Sequence, residues 1–348
     1  MKAPIDPKNF DACPSYNDWL DQRYELDHNA PLDISGYKPR PSYVLHQLSY
    51  DTYQAGLADY LSEREEELKE QVFRAFPSPI AYYYYRFENG YENDLQRLHF
   101  LRDTWESIVD VIHALTVAEC RYRRIQLAEP IQFKHFLSDS VAQRALNIEL
   151  IMSQANANGI KLEIEKLVDP SVLIQIRTLN QTRNAFSHSS AQSEKQAREW
   201  IGECYEEVIE VLASLVGLAQ VKLACYLNHT DARTLRCEIF KGYHLTRTIE
   251  TIVITEQQAL VCAPCFHKWR LFVVLNEHLF TVQPLLNSEE DETGHATNIL
   301  IFRKTRGEPP NRMLEFEIVG KASRATINRS IFSSEINALR SLSGLDPE

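Results

Sequence analysis

The hydrophobic and polar positions along the chain change their period once, near residue 228. Before that point apolar residues recur at intervals of three and four, as on one face of an α-helix. Leu98, Leu101, Trp105, Ile108, Ile112 and Leu115 form such a stripe and predict a helix over 95–127. An earlier helical segment, 49–76, carries the charge run EREEELKEQ on what reads as a solvated face. Pro77 and Pro79 must break it, because proline lacks the amide proton and restricts its predecessor. A helix over 141–157 opens with capping-box spacing at Ser140 and Gln143 and stops at Asn158-Gly159. Another starts at Asp169-Pro170 and turns Leu173, Ile176 and Leu179 inward. The last begins at Ser193 with Gln196 in capping position and is predicted to reach Leu227, with Trp200, Cys204, Val208, Val211, Leu215 and Leu218 as its stripe. At about 1.5 Å per residue that helix is roughly 50 Å long.

Residues 1–48 are rich in Pro, Asp, Asn and Tyr without a sustained period, and read as an irregular arm laid over the folded body. After Asn228 come short runs rich in β-branched and aromatic residues: TIETIVITEQQALVCA, WRLFVVL, HLFTVQPLL, ATNILIFRK and MLEFEIVGKA. The last two read as a hairpin across GEPPN, and a helix is expected near Ser333 to Leu342. The pattern therefore predicts an α+β chain: an arm over 1–48, an antiparallel helical bundle over 49–228 and a small mainly β domain over 229–348.

Charge and composition narrow the function. A net charge of −11 argues against non-specific coating of nucleic acid, whose affinity comes from neutralised phosphates, but leaves room for a local basic cleft. Arg121, Arg123 and Arg124 form one basic cluster, read as a solvated helix face, and Arg177, Arg183, Lys195 and Arg198 form another. The seven cysteines are scattered, several at apolar helix positions, as free thiols are in a reducing compartment. The opening MKAPIDPKNF turns polar at once, so no secretory signal is expected. The apolar stretch Val208 to Leu227 contains Glu210, Gln220 and Lys222 and reads as a buried core helix, not a membrane span. A cytoplasmic protein follows.

Among sequence motifs, one lies where a helix junction is predicted: QTRNAFSHSS, with Arg183, Asn184 and His188. Spacing alone is weak, since Arg23 with His28 and Arg40 with His46 repeat it in the arm. Read as structure, Phe186 is a core residue, Arg183 pairs with a glutamate and His188 caps the preceding helix. Cys262-Ala-Pro-Cys265 with His267 offers too few ligands for a structural zinc site, and a turn between strands is the plainer reading. Tyr82 to Tyr85 present aromatic faces suited to stacking on bases, but packing accounts for them more simply. His113 borders the apolar stripe of its helix and reads as a core-edge histidine. No Walker loop, GxSxG or HExxH occurs, and no metal or cofactor is expected.

RNAFSH resembles the Arg-x4-6-His signature of the HEPN superfamily, including the asparagine after the arginine, and its place before the last long helix matches. FPSPIAYYYYRF, followed by the helix near Asp94, is similar to a segment of HEPN proteins from bacterial defence systems. The resemblance covers roughly residues 50 to 227. It implies a HEPN-like bundle, a metal-independent endoribonuclease with Arg183, His188 and Asn184 as catalytic residues, and a homodimer with both motifs facing one groove. RNA supplies its own nucleophile, the 2′-hydroxyl, which DNA lacks. An imidazole near neutral pKa moves its proton, and a guanidinium holds the phosphate. On one unbroken helix Arg183 and His188 would lie about 140° apart, so either the helix ends near Ser187 or two chains share the site. RNA and a regulatory or antitoxin protein are the implied partners, with a toxin or defence role. Some HEPN toxins carry a tyrosine two positions after the histidine, where a partner modifies them; Ser190 stands there in this chain. The alternatives are a catalytically silent HEPN scaffold binding RNA, nucleotide or protein, and a regulatory protein whose β domain does the work.

Overall fold

The computed structural model describes residues 6–24, 40–187, 193–245, 247–266, 270–293, 295–308 and 311–347, with the backbone alone for 170, 180, 182–187, 261 and 264. The chain is α+β and divides into two compact units, 1–70 and 71–348.

Within the first unit, the stretch read as an irregular arm contains helices α1 (Pro14–Arg23) and α2 (Pro41–Leu48), each with proline at its start. They are too short to show a sustained period, and aromatic packing gives them their stability. Tyr16 and Leu20 bury against Tyr53 and Tyr60 of α3 (Tyr50–Ala75). Tyr53 donates to Asn17 Oδ1 at 2.7 Å, and Tyr16 donates to the Tyr53 carbonyl. Gly56 is required here: a Cβ would lie 2.7 Å from the Tyr16 hydroxyl.

The second unit is organised around one buried helix. Pro77 and Pro79 end α3 and start α4 (Ser78–Asn89), as their backbone restrictions demand. Asn93 then caps α5 (Asp94–Arg123) by accepting from the Gln96 amide at 2.9 Å. Every α5 residue from Ser107 to Cys120 is buried, so this helix is covered on all sides. Its hydroxyls are satisfied locally: Ser107 donates to the Thr104 carbonyl and Thr116 to the Ile112 carbonyl, both at 2.7 Å. A short α6 (Phe133–Phe136) leads to α7 (Val141–Ala157), capped by Ser140, and then to α8 (Pro170–Ser187) and α9 (Glu194–Ser214), capped by Ser193.

The predicted helix to Leu227 is cut short. After α9 comes a 3₁₀ segment, Val216–Gln220, and then strand β1 (Lys222–Asp231). Gly217 lies so close to Leu167 that a Cβ would come within 3.1 Å of its backbone. β1 is a central strand, and Leu223, Ala224 and Cys225 are all buried. A continuous apolar run of that kind does not distinguish strand from helix by period.

The remaining chain makes β2 (Thr234–Phe240), β3 (Thr248–Val253), α10 (Glu256–Val261), β4 (Leu271–Leu275), β5 (His278–Thr281), β6 (Leu286–Glu290), β7 (Ala296–Arg306), β8 (Met313–Ile318), β9 (Arg324–Asn328) and α11 (Ser333–Leu342). TIETIVITEQQALVCA thus splits into a strand and a helix capped by the Thr255/Gln258 box. Two antiparallel sheets result, ordered β3-β2-β1-β4-β5 and β6-β7-β8-β9. The predicted hairpin is present as β7–β8, with Arg306 opposite Met313. α11 returns to the helices, where the Leu342 carbonyl accepts from the Leu127 amide at 2.7 Å. Among the described residues no helix is long and apolar enough to cross a membrane.

Candidate functional site

The motif-bearing junction is built by α8 and α9. Asp169 accepts from the Ser171 amide at 2.8 Å to open α8, and Val172, Leu173, Ile176 and Leu179 are buried. Gln175, early in α8, reaches Glu210, late in α9, at 3.3 Å, as antiparallel neighbours do. Arg177 ties α8 to Glu149 of α7 at 3.0 Å. Arg198, in the first turns of α9, clamps Asp94 at the start of α5 with contacts of 2.7 and 3.0 Å. The last turns of α8 and the first turns of α5 and α9 therefore gather at one end of the helical set.

Arg183 and Asn184 belong to α8, whose bounds are Pro170–Ser187, but their side chains and all of His188 lie outside the described residues. The other three members of the basic sequence cluster each have a carboxylate neighbour. Arg177 is held by Glu149, Lys195 lies 3.9 Å from Glu199, and Arg198 is held by Asp94. The two look-alike pairs in the first unit are occupied too. Arg23 pairs with Glu63, Arg40 with Asp18 and Asp21, and His46 Nε2 lies 3.1 Å from the Pro7 carbonyl; His28 is outside the described residues.

Sequence reasoning missed a buried ion network. Asp110, within the apolar stripe of α5, meets Arg144 of α7 and, at 2.6 Å, Arg303 of β7. Arg303 also holds Glu317 at 2.9 Å, and Glu317 accepts from Tyr83 at 2.6 Å. Arg144 donates further to the Phe302 and Ser138 carbonyls at 2.8 and 2.9 Å. Burial alone would raise the Asp110 pKa, but the two guanidinium groups hold it below the ordinary carboxylate range. The signal was a carboxylate in the middle of an apolar helical face, which must find a partner. The network fastens the β6–β9 sheet to α4, α5 and α7.

His113, one turn beyond Asp110, is fully buried, and Asn147 Nδ2 lies 3.3 Å from its ring. Burial, with Arg144 nearby, pushes its pKa from 6.5 down to about 3, so it stays neutral near physiological pH. It is a core histidine and not a proton-transfer group.

The first basic cluster is not a solvated face. Arg121 donates to the Gln283 carbonyl at 2.6 Å and to the Thr281 carbonyl, and Arg123 pairs with Glu119 at 2.7 Å. Arg124 alone is exposed. All seven cysteines are buried and free. Cys262 donates to the Leu279 carbonyl at 3.2 Å, and burial pushes the Cys265 thiol up to about 12. His267 lies outside the described residues, and among those described no cluster of ligating side chains fits a metal ion. Tyr83 and Tyr84 are buried and Tyr82 and Tyr85 half-buried, so the tyrosine run serves mainly as packing. No family model, curated protein or solved structure matches the chain.

Proposed function

We propose that the protein is a metal-independent RNA endonuclease of the HEPN kind, with Arg183, Asn184 and His188 in a composite site shared by two copies of the chain. The observation that carries this reading is where QTRNAFSHSS falls in the chain. It joins α8 to α9, two antiparallel helices of one helical set, and puts Arg183 and Asn184 in the last turns of α8. In this reading His188 moves the proton of the ribose 2′-hydroxyl or of the leaving oxygen. Arg183 binds the phosphate through its planar fork, and Asn184 adds a neutral hydrogen bond. An enzyme that cuts cellular RNA harms its host, so control by a trigger or an inhibitory protein belongs to the same reading, as analogy at family level.

A subunit-mixing experiment tests the shared site. Arg183→Ala and His188→Ala are each inactive alone, and mixing them restores cleavage, because the mixed dimer holds one intact Arg183 and one intact His188 on opposite chains. Absence of recovery in a confirmed mixed dimer contradicts the composite site. A second reading, a HEPN scaffold that binds RNA, nucleotide or protein without cutting, is favoured by the carboxylate partners of Arg177, Lys195 and Arg198. It predicts binding that depends on Arg183 and no cleavage under any condition.

A further inference from the structure

The β3-β2-β1-β4-β5 sheet is curled. Its inner residues form one cluster that takes Ala224 from β1, Leu235 from β2, Ile252 from β3, Phe272 from β4 and Leu279 from β5. Ile252, on one edge strand, and Leu279, on the other, line the same cavity of about 810 Å³. α10 spans the gap between the edges, and Gln258 donates to the Glu277 carbonyl in the β4–β5 turn. The mouth of a curled or closed sheet, with apolar walls and a few polar groups at its rim, is a common place for a small ligand.

Two features distinguish this cavity from a packing gap. The first is backbone conformation. Among the described residues only two that are not glycine have positive φ, Arg124 at 55° and Asn276 at 53°, and both line this cavity. Arg124 ends α5 in a position that glycine ordinarily fills, at a cost of roughly 1–2 kcal/mol for a residue with a Cβ. Glycine there would improve the fold, so the arginine side chain itself points to a use. The second is how the rim is held. Asn276 donates to Glu163 at 2.8 Å, His278 lies 3.9 Å from the same carboxylate, and Glu163 is itself bonded to Lys166 at 2.8 Å. Among the described residues Arg124, by contrast, has no carboxylate partner, and none of the others lining the cavity is a lysine or arginine.

The lining selects a chemical class. Tyr122 and His278, edge to face at 5.8 Å, with Ile252 and Val274 form walls suited to a flat ring. Gln257 and the Glu277 carboxylate at the rim offer a donor and an acceptor to a heteroaromatic edge. Arg124 offers its fork to a phosphate. We propose that this cavity binds a nucleoside monophosphate, with the base against the apolar wall of Tyr122, Ile252 and Val274 and the phosphate on Arg124. The proposal stands independently of the nuclease reading, because it concerns binding and not cleavage.

Calorimetric titration of the full chain with AMP, GMP, CMP and UMP tests it, with the matching nucleosides and inorganic phosphate as separate arms. At least one nucleotide binds, and its nucleoside and free phosphate each bind about tenfold more weakly or less, the loss of one charge-assisted contact or of the stacked base. The decisive variant is Arg124→Gly. It keeps or raises the melting midpoint, since glycine suits the left-handed position, yet weakens nucleotide binding by about 10- to 100-fold. Heat from none of the four nucleotides at millimolar concentration overturns the proposal. So does a nucleotide that binds Arg124→Gly as well as the unaltered chain.

Discussion

The helical part of the chain contains the buried pair Arg144 and His113 and, in the RNAFSH motif, Arg183 and His188; the proposed nuclease needs from the second pair what the first does not supply. The first is sealed in the core. Arg144 is spent on Asp110 and two carbonyls, and His113 is held neutral with a pKa of about 3. A proton-transfer histidine must change charge near the working pH, and a phosphate-binding arginine must have donors left over. The core set fails both conditions. Of the second set, Arg183 belongs to the last turns of α8, and His188 lies outside the described residues.

Variants that move one set and leave the other untouched sharpen this contrast. The largest effect belongs to the core. Asp110→Ala leaves Arg144 a buried charge with carbonyl partners alone, takes one of two carboxylates from Arg303, and costs about 3–5 kcal/mol in denaturant unfolding. Cleavage per folded molecule is unchanged. If Asp110→Ala instead abolishes cleavage while the fold persists, the core set is the active one.

The next effect is one of pH. The folded chain holds His113 neutral down to about 3, whereas the unfolded chain protonates it near 6.5. Below the unfolded value the unfolded state binds the extra proton, so stability falls as pH drops through that window. Between pH 7 and roughly pH 5 the histidine contributes a loss of about 2 kcal/mol, which His113→Leu removes. Unfolding curves at both pH values measure it; parallel losses in the two proteins contradict a neutral buried His113. The smallest effect is Asn184→Ala, which lowers the cleavage rate by about tenfold, the worth of one neutral hydrogen bond, without shifting the melting midpoint. A large fall in the midpoint would make Asn184 a structural cap.

Much of this contrast was legible in the sequence, and what was not has identifiable causes. Three helix starts were readable from local caps: Ser140, Asp169 and Ser193 open α7, α8 and α9 at the predicted residues. The equally local Thr255/Gln258 box of α10 was passed over inside a run rich in β-branched residues. α11 also falls on its predicted span, Ser333–Leu342. β1 was read as helix because Leu223 to Cys225 are buried on both faces of a central strand and show no alternation. α1 and α2 were missed because they are short and held by Tyr53 and Tyr60 from a later helix. The ion network pairs Asp110 with Arg303, 193 positions away, which no local pattern reports. The Arg124 cavity was hidden for a similar reason, since its walls come from α5, β3, β4 and β5. RNAFSH stood out as a motif because its residues are contiguous, and its role as a site is a proposal.

The most direct measurement is cleavage of mixed cellular RNA in EDTA by the purified chain beside an Arg183→Ala/His188→Ala variant of equal thermal stability. The account predicts cleavage by the unaltered chain alone, at a rate at least about 10²–10⁴-fold above the variant, the range that a positioned acid–base group supplies. Equal cleavage by both proteins would contradict it and move the active centre away from the α8–α9 junction.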